Sequence, residues 1–406
     1  MEIMRGTVDG GSDTWALENT PSNALTGVQK LQMAIEGLKW LRQTKKDTPF
    51  DHDETSTLKI MTGLATCYTL LGCRTEAWPL YETVLESIRS QLGSEHPKTL
   101  LAMVTVANAY ESSGKLWEAR ALHEQAVNLS RREFGEAHPL TIRAIGNLAD
   151  TYLYLDCLDI AVELSEQLMS IARTKLDDES PLTLCITNQL ANCYREVGRL
   201  NEAVEDLESV IKVHTSNDGP EDYTTLVAMS DLAHCYRDLG QYETALETYR
   251  AVVTGFERLV APQQINTLAV RGHMATTYYR SGKVTEALVI QEDLFRSFKM
   301  EFGSEHPITL DVSNTLAVYY SGVGRVREAK NIHLTVEKSA CAALGESHPA
   351  VLIYRSNLAH IYHILGYSEY AVHLQCLVLD ASRGTLGDSH PITQMSERSL
   401  DSFVHR

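Results

Sequence analysis

The sequence predicts an all-α solenoid of stacked helix-turn-helix units, and three regularities carry that expectation. An alanine recurs every 42 residues (Ala65, Ala107, Ala149, Ala191, Ala233, Ala275, Ala317 and Ala359). A tyrosine stands three residues after each, from Tyr68 to Tyr362, and a second alanine ladder runs from Ala77 to Ala371 at the same step. Self-similarity at this period marks units too small to bury their own apolar faces, which stack on their neighbours instead. A chain of 406 residues would ordinarily suggest two or three globular domains. Here the repeat leaves room for only one elongated domain, from about residue 28 to 390.

In chain order, residues 1–27 read as a flexible polar tail. VQKLQMAIEGLKWLRQTK, within 28–46, reads as a second helix lacking its first, a partial repeat with Ile35 at the alanine position. Unit one follows, and Pro79 is expected to kink or delay its second helix. Unit two shows the pattern plainly. PKTLLAMVTVANAYESS has apolar residues at helical spacing, Gly114 interrupts it, and KLWEARALHEQAVNLSRREF resumes before Gly135. Ala107 and Ala119 fall where two helices approach closely, because a methyl group permits backbone contact. Tyr110 lies on nearly the same face as Ala107 and is expected to wedge between this unit and the next. Glycine follows the tyrosine by four residues in every unit but the third, where Asp156 stands, which suits a left-handed cap on the first helix. Gly-x-x-His-Pro joins units at Gly93–Pro97, Gly135–Pro139, Gly303–Pro307, Gly345–Pro349 and Gly387–Pro391. Glycine ends one helix, proline starts the next, and the histidine can cap it. The joints at 177–181, 219–223 and 261–265 lose this phrase consecutively, through drift or through specialisation of the middle units. Residues 391–406 read as a polar capping helix, with Asp401 at the next alanine position.

Composition excludes several classes. A net charge of -17 disfavours a general nucleic-acid binder, which needs clustered Lys and Arg. No stretch approaches the length of a membrane span or a signal peptide, so no membrane partner and a cytoplasmic location (cytosol or nucleus) are expected. Eight cysteines without a CxxC pair read as free thiols, with Cys67, Cys193 and Cys235 at one buried helix position. The joint histidines lie a full repeat apart and share no coordination shell, so neither metal nor cofactor is expected.

The small-residue, Tyr, Gly, Ala pattern, together with LGSEHPKTL (92–100), FGSEHPITL (302–310) and LGESHPAVL (344–352), resembles the tetratricopeptide-repeat family. The 42-residue period is similar to its kinesin-light-chain-like subclass, as are NLADTY, NQLANCY, SNTLAVYY and SNLAHIY. That resemblance implies a right-handed superhelix whose first helices line a concave groove that holds extended peptides. It maps the groove to positions three and two before the first alanine and one and four after it. Asn147, Asn188, Asn192, Asn314 and Asn357 then fall on or beside the stripe and resemble the asparagines that pin a bound main chain, since a carboxamide donates and accepts at once. Arg195, Arg237 and Arg280, with His234, would meet ligand carboxylates, giving a non-catalytic adaptor for an acidic peptide. Their alternative partners are Glu196, Asp231 and Asp238. A second function is an enzyme of cyclase, isomerase or hydrolase type, with Asp231, His234, His273 and Tyr279 supplying acid-base groups inside the superhelix. No nucleophile motif, phosphate loop or metal cluster supports it. His360, His363 and His373 form a weak metal pattern without a carboxylate, and Trp15 in SDTWALEN could plug the groove or cover the first helices.

Overall fold

The computed structural model describes residues 32–39, 54–70, 74–177, 179–259, 265–388 and 390–404, all helical apart from short connections. Helix α1 spans 32–39. Eight helix pairs follow: α2 Glu54–Leu70 with α3 Arg74–Leu92, α4 Pro97–Ser112 with α5 Leu116–Phe134, α6 Pro139–Tyr154 with α7 Leu158–Lys175, and α8 Pro181–Glu196 with α9 Leu200–Asn217. The second half continues with α10 Tyr223–Asp238 and α11 Tyr242–Leu259, α12 Ile265–Arg280 and α13 Val284–Phe302, α14 Pro307–Gly322 and α15 Val326–Leu344, then α16 Pro349–Ile364 and α17 Ser368–Thr385. Helix α18, Pro391–Val404, ends the stack. Each helix packs on the next, and first helices also touch first helices of adjoining units, which builds the inner wall. The proposed tail and Trp15 lie outside the described residues.

Both alanine ladders are buried to 1% exposure or less in every unit. Their methyl groups are enclosed where the paired helices approach. The tyrosines do something more specific than wedge toward the following unit. Tyr110, Tyr152, Tyr194, Tyr236 and Tyr320 donate their hydroxyls to Glu82, Glu124, Glu166, Glu208 and Glu292, each on the second helix of the preceding unit, at 2.8–3.1 Å. In unit six the bond reverses, and Arg250 donates to Tyr278 at 2.7 Å. The ladder therefore staples units two to seven backward.

Left-handed caps close the first helices at Gly114, Gly198, Gly240, Gly282, Gly324 and Gly366, and Asp156 adopts the same conformation with φ 57°. An aspartate tolerates this region through its short polar side chain, so the sequence exception is no structural one. At the joints, His96, His138, His306, His348 and His390 each accept from the backbone N–H two residues on. Where the phrase is lost, Ser180 and Asp222 take over, accepting from Thr183 and Thr224. Pro79 does not delay its helix, which begins at Arg74. Ile35 packs with Leu64 and Cys67, while Asp401 is exposed and Phe403 carries the burial of α18. Every described cysteine is a free thiol, and Cys67, Cys193 and Cys235 are buried.

Close packing at the ladder predicts that Ala233→Leu destabilises the fold by about 1–3 kcal/mol through overpacking. Urea denaturation followed by circular dichroism would measure it, and an unchanged midpoint would show that the helices have room there.

Candidate functional site

The first helices of units four, five and six converge on one carboxylate. Asp238 ends α10 and accepts from Arg280 at 2.6 Å, from Arg237 at 3.2 Å and from Arg195 at 3.3 Å. Three guanidiniums from three successive units thus meet at a residue four-fifths buried. Burial pushes the Asp238 carboxyl up, but Arg237, Arg280 and Arg195 outweigh it and hold it below the usual carboxylate range. Arg195 also donates to Glu196 at 2.5 Å. The arginines are therefore placed together as expected, but already paired. Asp238 was visible only as one of several alternative partners, because a repeat pattern gives positions on a wall and not the bonds across it.

Beside this hub stands a second cluster. Asn188 donates to Asp231 at 3.0 Å, and Asp231 lies 3.7 Å from His234 Nδ1. The His234 ring meets His273 edge-on at 4.3 Å between centroids. Burial, then the neighbouring His234, pushes His273 down to about 3, so it is neutral at physiological pH. Tyr249, from the second helix α11, packs against both rings, and its hydroxyl is fully buried and without a hydrogen-bond partner. The sequence signal for Tyr249 was its aromatic ring at a position held by Leu207 in unit four and Gln291 in unit six. Tyr279 turns to unit seven instead. Its ring stacks on Tyr319 at 4.5 Å and 11°, against Gly322, where any Cβ would stand 2.8 Å from the Tyr279 hydroxyl.

The asparagines pair across units. Asn357 donates to Asn314 at 3.0 Å, and Asn108 donates to Asn147 at 3.4 Å while Asn147 donates to the Arg143 carbonyl. Asn192 is half-buried on α8. His360 and His363 pack on Phe403 of α18 and not on a third ligand, and no group of metal-ligating residues occurs among the described residues.

Toward the N-terminal end the wall becomes acidic. Thr151 donates to Glu111 and also contacts His123 Nδ1 at 2.8 Å, while Asp150 accepts from Gln189 at 2.9 Å. Burial raises the Glu111 carboxyl to about 7 against the opposing Thr151 bond, and burial lowers His123 to about 4. Asp150 is raised as well, again by burial. Glu111 occupies the same groove position in unit two that Arg195 and Arg237 occupy in units four and five.

Sequence-family models for tetratricopeptide repeats match residues 56–132, 118–174, 182–258 and 267–308. A search among proteins of curated function returned no match. Among solved structures, the chain is similar to a kinesin light chain-type protein of Podosopora anserina with nearly identical TPR-like repeats, at 31% identity over 52% of this chain and 99% of that one (TM-score 0.44). BtubC of P. vanneervenii is 21% identical over 57% of this chain and 92% of that one (TM-score 0.45). A Rap protein complexed with Competence and Sporulation Factor shares the fold at 11% identity over 86% of this chain and 98% of that one (TM-score 0.51). Among the described residues, no helix is long and apolar enough to cross a membrane.

The raised Glu111 carboxyl gives a signed prediction. The folded chain holds this proton up to about pH 7, whereas an unfolded glutamate releases it near about 4.3. The group therefore destabilises the fold progressively as pH rises between those values. Glu111→Gln should be more stable than the parent by about 1–3 kcal/mol at pH 8, with the gap narrowing by pH 5. Thermal unfolding at the two pH values tests this, since His123 is common to both proteins; a gap independent of pH would contradict it.

Solenoids of this kind are protein-interaction modules that present an extended concave surface. With matched repeats over more than half its length and alanine, tyrosine and capping ladders in register through eight units, the chain belongs to the tetratricopeptide-repeat family.

Proposed function

We propose that the protein is a non-catalytic adaptor that holds an extended, acidic segment of a partner protein in its concave groove. One observation carries this: in a chain of net charge -17, Arg195, Arg237 and Arg280 gather on the inner wall around a single carboxylate. Asp238 marks where a ligand carboxylate is stabilised, and a planar guanidinium fork can exchange one carboxylate for another without rearranging. The facing pairs Asn314 with Asn357 and Asn108 with Asn147 sit along the same wall, where carboxamides can exchange their mutual bonds for those of a peptide backbone. A Rap protein that shares the fold is complexed with Competence and Sporulation Factor. The organisation that goes with this function is a tail over 1–27, a groove-forming solenoid over 28–390 and a cap over 391–406. A cytoplasmic setting accords with the free thiols.

An acid-base enzyme is favoured less. His273 is held neutral far below physiological pH, burial drives the Tyr249 hydroxyl the opposite way, and Tyr279 stacks on Tyr319 away from Asp231 and His234. General acid-base groups work best with pKa values near the operating pH.

Fluorescence polarisation with a fluorescein-labelled oligoglutamate peptide tests the adaptor function. Binding should weaken with added salt, and the Arg195→Ala/Arg237→Ala double variant should bind at least about tenfold more weakly, as when charged partners of a desolvated pair are truncated. Equal affinity for parent and variant would sink it.

A further inference from the structure

A helix-pair solenoid has two edges, one made of the turns within units and the other of the joints between units. Helices of 16 to 19 residues separate them, a layer about 24–28 Å high at 1.5 Å per residue. In this chain the two edges meet. The turn edge of units two and three lies against the joint edge of unit eight and α18, more than 200 residues later in sequence.

Four contacts define the seam. The Trp117 indole Nε1–H donates to the Thr385 carbonyl at 2.9 Å. His390 Nε2 lies 3.3 Å from the Tyr154 carbonyl, with Asp156 in electrostatic reach of the same ring. Leu116 and Leu155 share one buried apolar cluster with Leu352, Val378 and Leu386, and Cys157 packs against it. At Gly114 a Cβ would stand 2.7 Å from Pro349 Cδ and 2.9 Å from His348 Cδ2, whereas the matching glycines Gly198, Gly240, Gly282, Gly324 and Gly366 face open space.

The clearest departure from the repeat at this edge, Trp117, is part of the seam. Trp117 stands where the other units carry polar residues, Asp159, Asn201 and Glu243 among them. Cys157 stands where units two, four, six and seven carry the basic residues Lys115, Arg199, Lys283 and Arg325, while Cys73, Gln241 and Tyr367 hold the position in units one, five and eight; Arg199 and Arg325 reach carboxylates on their own and the preceding units. An arginine at 157 would need solvent that the seam excludes, while a thiol accepts apolar cover.

We propose that this seam is a releasable latch that holds the superhelix as one closed turn, with the inner wall of units three to seven enclosed until it opens. The latch separates two edges and breaks into no unit, so opening it leaves every alanine contact and every tyrosine staple intact. A contact this small beside the continuous packing between neighbouring units belongs among the first parts of a fold to open. Release makes the Asp238 hub accessible from the side as well as along the axis, which goes beyond what the groove binds to how it is reached.

The turn glycine supplies an internally controlled test on the full-length chain. Gly114→Asn keeps a residue type that tolerates the left-handed turn but drives a side chain into Pro349, whereas Gly240→Asn makes the same change into open space. Trp117→Ala removes a ring that is 41% exposed and so leaves the unit's core untouched. Cys157 reports the state of the seam through its alkylation by iodoacetamide, read by peptide mass against the same thiol in the urea-unfolded chain, and small-angle X-ray scattering reports the maximum dimension. The parent and Gly240→Asn should protect Cys157 and scatter alike. Gly114→Asn and Trp117→Ala should raise the Cys157 rate by about tenfold and lengthen the particle. If Gly114→Asn loses helicity, Trp117→Ala decides alone. Equal Cys157 rates in parent, Gly240→Asn and Trp117→Ala, or an unchanged maximum dimension in a folded seam variant, would overturn the latch.

Discussion

Everything in this structure depends on how closely two helices can approach at a methyl group. The paired ladders from Ala65 and Ala77 onward are buried in all eight units, and they set the distance between the helices of each pair. Because a solenoid repeats one geometry, a distance fixed within one unit becomes a rotation between units and then the curvature of the whole. An insertion of one residue between the ladders would turn each following face by about 100 degrees, the angular step of an α-helix. The constancy of the 42-residue step is therefore a constraint on curvature, and curvature is what brings Arg195, Arg237 and Arg280 to the same carboxylate.

Against that frame, the replacements in the middle units preserve physics while changing residues. Ser180 and Asp222 do at their joints what histidine does elsewhere, because any side-chain acceptor placed before the first helical turn can satisfy its free N–H groups. Asp156 adopts the left-handed turn that glycine adopts in its neighbours. Arg250 meets Tyr278 from the side that a glutamate occupies in other units, reversing donor and acceptor while keeping the staple. Drift is thus sufficient for the joints. It does not account for Asp238, on which three arginines from successive units converge.

The fold was legible in the sequence because turn glycines and capping residues act locally and the ladders repeat one contact at a fixed step. The inner wall was expected as a set of positions, since the family resemblance laid on the register picks out Asn147, Asn188, His234 and Arg237. Their partners were not. Asn188 bonds Asp231, 43 residues on, and Arg280 bonds Asp238, 42 residues back; rotamers and crossing angles decide such bonds. Tyr279 shows the same limit, as its ring had two neighbours to choose and Gly322 opened the space beside Tyr319. The seam was harder still to see, because it depends on small rotations accumulated over six units. Its local trace was present in Trp117, which breaks the repeat without breaking the frame.

The pairing of the groove arginines with Asp238 decides what kind of ligand such a wall can favour. An unpaired cluster of three guanidiniums would repel itself and attract any anion, giving affinity without selectivity. With Asp238 in place one of the three charges is offset and the cluster is held in one arrangement, so an incoming carboxylate must displace or share bonds at 2.6–3.3 Å that already exist. A single exposed carboxylate in water has little to gain from that exchange. A chain segment that brings several carboxylates at once, with a backbone that can engage the asparagine pairs, gains from many bonds while ordering only one chain. The acidic Glu111 and Asp150 at the other end of the wall add direction, since their burial costs rise when a second negative charge approaches. Under the proposed adaptor function, the wall would therefore discriminate by the distribution of charge along a segment and not by charge alone.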